Sequence, residues 1–143
     1  MARNKIALMG TPIVTEDQKA LEAIIPGHLL MATATGVQKN TANASNVARA
    51  FALERDELGK TVDTAYAIND TVKVGVFHGG QRVYAWLASG QNAAIGDYLT
   101  TDNAGLLTKA AVAATIRVAR AVEAVNTSGS APVAGTRIRV EVV

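Results

Sequence analysis

Val72-Lys73-Val74-Gly75-Val76-Phe77-His78, then Gly79-Gly80, then Gln81-Arg82-Val83-Tyr84-Ala85-Trp86-Leu87 is the stretch whose reading decides the fold. Two alternating runs flank a Gly-Gly pair, which predicts a β-hairpin closed by a primed turn. That register would set Phe77 opposite Arg82, Gly75 opposite Tyr84 and Lys73 opposite Trp86. Alternation then separates two faces. Val72, Val74, Val76, Val83, Ala85 and Leu87 form an apolar face that reads as core. Lys73, Phe77, Arg82, Tyr84 and Trp86 form an aromatic and basic face. Either another part of the chain covers that second face, or it meets a partner, since Trp, Tyr and Arg are enriched at binding hot spots. In the expected register Tyr84 would cover bare Gly75, and Lys73 would reach the Trp86 ring as a cation–π pair.

Working outward, Asp97-Tyr98-Leu99-Thr100-Thr101, Asp102-Asn103-Ala104-Gly105 and Leu106-Leu107-Thr108-Lys109 read as a second hairpin, with Gly105 free to take positive φ. Thr136 to Val143 is the cleanest alternation. Ile138, Val140 and Val142 point one way, and Arg137, Arg139 and Glu141 the other. Ile116 to Val125 reads as one long strand interrupted at Arg120, where a bulge fits. Further strands are expected at His28–Thr33 (extended through Gly36–Lys39), Val47–Leu53 and Val62–Ala67. Thr15 to Ala23 reads as a short helix capped by Thr15. Glu54-Arg55-Asp56-Glu57 reads as a solvated loop. Three stretches pair Ala-Ile with a turn: Ala23-Ile24, Ala67-Ile68 and Ala94-Ile95. They look like one device, an apolar residue buried just before a tight turn that launches a strand. Many short strands at this spacing predict an all-β fold, a small β-barrel or β-sandwich of short antiparallel strands.

The 143 residues favour a single domain. Residues 1–12 read as an extended N-terminal arm, with Ile6, Leu8 and Met9 able to add a strand to a sheet edge, its own or a neighbour's. Residues 13–143 read as one β-rich domain. With no cysteine there are no disulfides and no thiolate metal sites. The formal charge of +2 is too small for a nucleic-acid partner. No apolar run approaches the roughly 18 residues of a membrane span, and the start is not a signal peptide. The two histidines, His28 and His78, each sit beside a Gly turn, lack the spacing of metal ligands and read as surface residues. Gly75-x-x-x-Gly79-Gly80 lacks the Lys-Ser/Thr of a phosphate loop. No catalytic constellation, cofactor site or metal site is legible, so the sequence reads as a non-enzyme.

Val83-Tyr84-Ala85-Trp86-Leu87 through Ala94-Ile95-Gly96-Asp97-Tyr98-Leu99, Asn103-Ala104-Gly105-Leu106-Leu107, Ala119 to Val125 and Arg137-Ile138-Arg139-Val140-Glu141-Val142 together resemble the capsid decoration (cement) proteins of tailed bacteriophages. The resemblance covers about 60 residues, with a looser match from Gly27 to Val37. It implies a virion protein, made in the host cytoplasm, that binds the outer surface of an assembled capsid. It implies the major capsid protein as partner and a homo-oligomer, a trimer ahead of a dimer. Bridging neighbouring capsid subunits would stabilise the shell through multivalent attachment. The residues themselves add candidates for the capsid or subunit interface: Arg3, Lys5, Ile6, Leu8 and Met9 on the arm, and Lys73, Phe77, Arg82, Tyr84 and Trp86 on the hairpin. A carbohydrate-binding module using Tyr84 and Trp86 as a stacking platform is the alternative from another class.

Overall fold

The structure, a computed structural model, describes residues 4–12, 14–41, 47–112, 116–129 and 136–143. The described chain is all-β apart from one 3-10 turn at Asp56–Leu58. The first five strands are β1 (Ala7–Met9), β2 (Val14–Lys19), β3 (Leu30–Ala32), β4 (Val37–Lys39) and β5 (Ala50–Ala52). The next five are β6 (Thr71–Val76), β7 (Arg82–Leu87), β8 (Asn92–Ala93), β9 (Tyr98–Thr101) and β10 (Leu107–Lys109). The last three are β11 (Ala119–Ala121), β12 (Val125–Asn126) and β13 (Thr136–Val142).

The order β7-β10-β9-β11-β13 closes on itself through β13–β7, giving a five-stranded barrel. β1 pairs with β7 beside the short β10 contact, with Ala7 opposite Val83 and Met9 opposite Arg82. A second sheet, β2-β6-β5, stands next to the barrel, and β3-β4 and β8-β12 are two-stranded ladders.

Both strands of the opening stretch form, but they do not pair with each other. β6 pairs with β2 and β5, while β7 belongs to the barrel. The turn explains the divergence. His78-Gly79-Gly80-Gln81 has positive φ only at its third position, Gly80 at 94°. That is the type II pattern, and type II turns splay their flanking strands where primed turns keep them together. The splayed ends are then taken by other partners. Phe77 N–H donates to Arg49 O and Gly80 N–H to Val142 O.

The apolar face therefore feeds two cores instead of one. Val83, Ala85 and Leu87 join Ile6, Leu99, Leu107 and the β13 trio Ile138, Val140 and Val142 inside the barrel. Val72 and Val74 join Ala20, Ile24, Leu30, Val37 and Tyr66 in a smaller core. β5 is the wall between them. Ala50 and Ala52 face the small core, while Phe51 points into the barrel core and meets Phe77 edge-on at 5.9 Å between ring centroids. Bare Gly75 makes room here, since a Cβ on it would lie 2.9 Å from Leu53 Cδ1.

Several expectations are corrected. Thr15–Ala23 is not a helix. Val14–Lys19 pairs residue for residue with β6, and its charged side chains suit a sheet edge, so pairing overrides local propensity. Gly36–Lys39 does not extend the preceding strand but folds back on it as β4. Val62–Ala67 forms no strand, only a bridge from Tyr66 to Ile24. The long strand from Ile116 breaks after Ala121, where Val122 N–H turns to Arg139 O, and Ala119 and Ala121 face inward around Arg120. The second hairpin and β13 form as read. Of the arm expected over residues 1–12, Ala7–Met9 lies in its own chain's sheet and Ile6 is fully buried.

The Ala-Ile device is real but differs from its reading. Ile24 is fully buried as read, but Ile68 and Ile95 are exposed at 62% and 73%, so burial is not what the three share. In Ala67-Ile68-Asn69-Asp70 and Ala94-Ile95-Gly96-Asp97 the fourth side chain accepts from the first N–H, at 2.8 and 2.9 Å. His28 does the same for Ile25 at 3.1 Å, and Gln81 for His78 at 3.1 Å. All four turns put positive φ at the third residue: Asn69, Gly96, Gly27 and Gly80. One closure recurs with three acceptor chemistries: carboxylate, imidazole and amide.

Candidate interaction surfaces

The structure scatters the ten residues singled out from the sequence. Arg3 lies outside the described residues. Ile6 and Phe77 are core. Lys5 and Lys73 enter a charge cluster around the 3-10 turn. Lys5 reaches Asp56 and, at 3.5 Å, Glu54, while Lys73 lies 3.4 Å from Glu57 and 3.9 Å from Asp56. Glu54, read as a solvated residue, is buried and accepts from Ile6 N–H at 3.0 Å, tying the first residues to the end of β5. Leu8, Met9, Arg82, Tyr84 and Trp86 remain together on the outer wall of the barrel.

β7 and β13 organise that wall. Their register sets Trp86 beside Arg137, Tyr84 beside Arg139 and Arg82 beside Glu141, all pointing outward. At the Trp86 end the chain covers its own aromatics. The Arg137 guanidinium lies 4.4 Å from the Trp86 ring centroid and 5.8 Å from that of Tyr84. It donates to Asp63 at 2.7 Å, to Pro26 O at 3.2 Å and to Val62 O. Trp86 Nε1–H donates to Pro26 O at 2.9 Å, and bare Gly27 lets that loop close against the ring. The cation over Trp86 is therefore Arg137, not Lys73. His28 packs alongside, 6.2 Å from the Trp86 ring. It is buried, contrary to its reading as a surface residue, and desolvation, with Lys39 and Arg137 nearby, lowers its pKa to about 4.

The other end of the same strands is open. Met9, Arg82, Glu141, Arg120 and Tyr98 are consecutive cross-strand neighbours on β1, β7, β13, β11 and β9. Glu141 sits between two arginines, 3.0 Å from Arg120 and 3.7 Å from Arg82. Arg117 lies over Tyr98 at 4.2 Å, and Arg139 is held by Glu123 at 2.9 Å. Two adjoining grooves of about 180 and 320 Å³ share Arg82 and Val122. Met9 is 56% exposed here, and Ile95 stands on the rim of the larger groove.

A third concavity, about 460 Å³, lies over the β2–β6 edge and is lined by Asp17, Arg55, Leu58 and Tyr66 among others. Two of its polar side chains are engaged by their neighbours. Arg55 donates to Asp17, Glu57 and Thr71 O, and Tyr66 O–H to Leu53 O. Among the described residues no three His, Asp or Glu side chains gather as a metal-holding group. What the molecule presents is surface chemistry: a covered aromatic end and an open end rich in arginine. Sequence reading missed Arg137, Arg120 and Ile95. The β13 alternation placed Arg137 on an outward face without revealing what it covers.

No family model matches this chain, and no curated protein matches it. Among solved structures it is similar to the head fibre gp8.5 N base of bacteriophage phi29. The TM-score is 0.54 at 13% sequence identity, covering 91% of this chain and 93% of that one. The likeness is one of fold.

Proposed function

We propose that this chain is a structural protein of a phage virion, held on the outer surface of the head. The observation that carries the reading is the fold likeness to a phage head-fibre base over nearly the whole of both chains. The sequence resemblance to capsid decoration proteins, drawn from other evidence, points the same way. The finer form is that the protein binds the major capsid protein and bridges neighbouring subunits, acting without catalysis. Repeated over the shell, a modest interface becomes strong attachment by multivalency. The carbohydrate-binding alternative loses support, because Arg137 occupies a face of the Trp86 ring that a sugar would stack on. Co-sedimentation with purified expanded heads tests the proposal. The protein should pellet with heads at a fixed stoichiometry and raise their resistance to heat or osmotic shock. A protein that stays in the supernatant at micromolar concentrations sinks it.

A further inference from the structure

The open end of the barrel carries cations that its own acids do not use up. Arg82, Arg117, Arg120 and Arg139 stand there against Glu123 and Glu141, an excess of two positive charges. One carboxylate, Glu141, serves both Arg82 and Arg120. Arg120 donates a single N–H to it at 3.0 Å, and Arg82 only approaches it at 3.7 Å, beyond hydrogen-bonding reach. A guanidinium has several N–H donors to give, so among the described residues most of those on this pair are left to solvent. Arg117 lies over Tyr98 with no carboxylate beside it among the described residues. Asp97, next along the chain, is held by Lys109 at 2.8 Å and does not neutralise the excess.

These cations border an apolar trough. The two grooves meet at Arg82 and Val122, with Leu8 and Met9 lining one and Ile95 standing on the rim of the other. The row from Met9 through Arg82, Glu141 and Arg120 to Tyr98 crosses five neighbouring strands. At about 4.8 Å between strands that is about 19 Å of surface, the length of about six extended residues. A strand-like segment lying there sets alternate side chains to opposite sides, so that apolar ones meet the lining and carboxylates meet the guanidiniums. This chain has no such segment to give. Its acidic clusters, Glu16-Asp17 and Glu54-Arg55-Asp56-Glu57, are tied to Arg55, Lys5 and Lys73 of the same molecule. The residues outside the described ones contain no Asp or Glu.

We propose that the arginine end of the barrel docks an extended acidic segment of a different protein, about six residues in which carboxylates alternate with apolar side chains. Burial of the apolar side chains along Met9, Val122 and Ile95 supplies the contact area. The unspent donors of Arg82 and Arg120 fix the orientation and reject basic or neutral segments. The proposal rests on the virion reading only for the bearer of the segment, the shell protein. The surface chemistry stands without it.

An NMR titration with a short end-capped peptide alternating glutamate and leucine tests the surface without the shell. The amide signals of Gly96, Ala121 and Val122, which line the trough, should shift and saturate. The affinity should be at least about tenfold above that for the same peptide built with glutamine. Arg82→Gln with Arg120→Gln should lower it at least about tenfold. Ile95→Glu keeps both arginines and should weaken binding about threefold or more by like-charge repulsion. It decides the matter should the arginine pair fail to fold by thermal melt. Equal affinity for the two peptides, shifts confined to other residues, variants that bind as the wild type does, or a single-stranded DNA oligomer that binds as tightly as the glutamate peptide would each overturn the proposal. Head co-sedimentation is scored separately. A wild type that pellets with heads but shows no preference for glutamate defeats the docking site and leaves the proposed function standing. A wild type that selects the glutamate peptide and ignores heads does the reverse.

Discussion

β6 and β7 read alike in the sequence and end in different environments. β6 lies in a three-stranded sheet over a small core of valine and alanine with Ile24, Leu30 and Tyr66. β7 is the most connected strand of the barrel, with β1 and β10 on one edge and β13 on the other. Four residues of type II turn part them. Alternation establishes that a strand has an apolar side, but not which core receives it. A turn's handedness, set by backbone conformation at one glycine, decided the topology here. The two regions are nevertheless not independent, because β5 is a wall of both.

The hardest way to break that link is Phe51→Ala. The ring is fully buried against Phe77, and its loss should cost about 3–5 kcal/mol. Urea unfolding followed by tryptophan fluorescence, which reports the barrel, and by backbone amide exchange in β2 and β6 should shift together. If only the barrel probe moves, the shared wall does not couple the regions.

A second test uses acidity at the seam. His28 stays neutral in the fold with a pKa of about 4, against about 6.5 unfolded. Between those values the unfolded chain binds the extra proton. Stability is therefore full above pH 6.5 and falls as pH drops toward 4, by roughly 3 kcal/mol in all. Asp97, whose pKa Lys109 and the Ala94 N–H lower from its ordinary 3.8, is lost in a more acidic window and does not mask it. His28→Asn, which keeps an acceptor for Ile25 N–H, should flatten the slope between pH 6.5 and 4 in denaturant melts.

The smallest contrast compares the two ends of the outer wall. Arg137→Ala removes a buried guanidinium, takes this donor from Val62 O and leaves Pro26 O with Trp86 Nε1–H alone, a loss of about 2 kcal/mol. Arg82→Ala removes a half-exposed ion pair at 3.7 Å and should cost under about 0.5 kcal/mol. Equal costs by chemical denaturation would mean that Arg137 does not hold the loop against Trp86.

Much of this was legible from particular residues. β13 could be read directly because Ile138, Val140 and Val142 face one core while the intervening charges face outward. The Asp102–Gly105 turn was legible because its conformation needs local chemistry only. Val14–Lys19 was not, since a polar edge strand takes its conformation from β6, far along the chain. The aromatic face was half legible. Its residue types were right, but Phe77 and Trp86 are covered by Phe51 and Arg137, from positions that no local pattern connects to them. The open arginine end takes its residues from five strands, so only the closed barrel assembles it.

The two outermost strands of the described chain carry a mechanical consequence. β1 and β13 are both antiparallel to β7 and flank it on opposite edges. They therefore run in the same direction, β13 along the whole of β7 and β1 only beside Arg82 and Val83. Tension applied across the two termini would slide both ladders along β7 rather than peel them open one bond at a time. Every backbone bond in the two ladders would bear load together, the arrangement that best resists sudden extension.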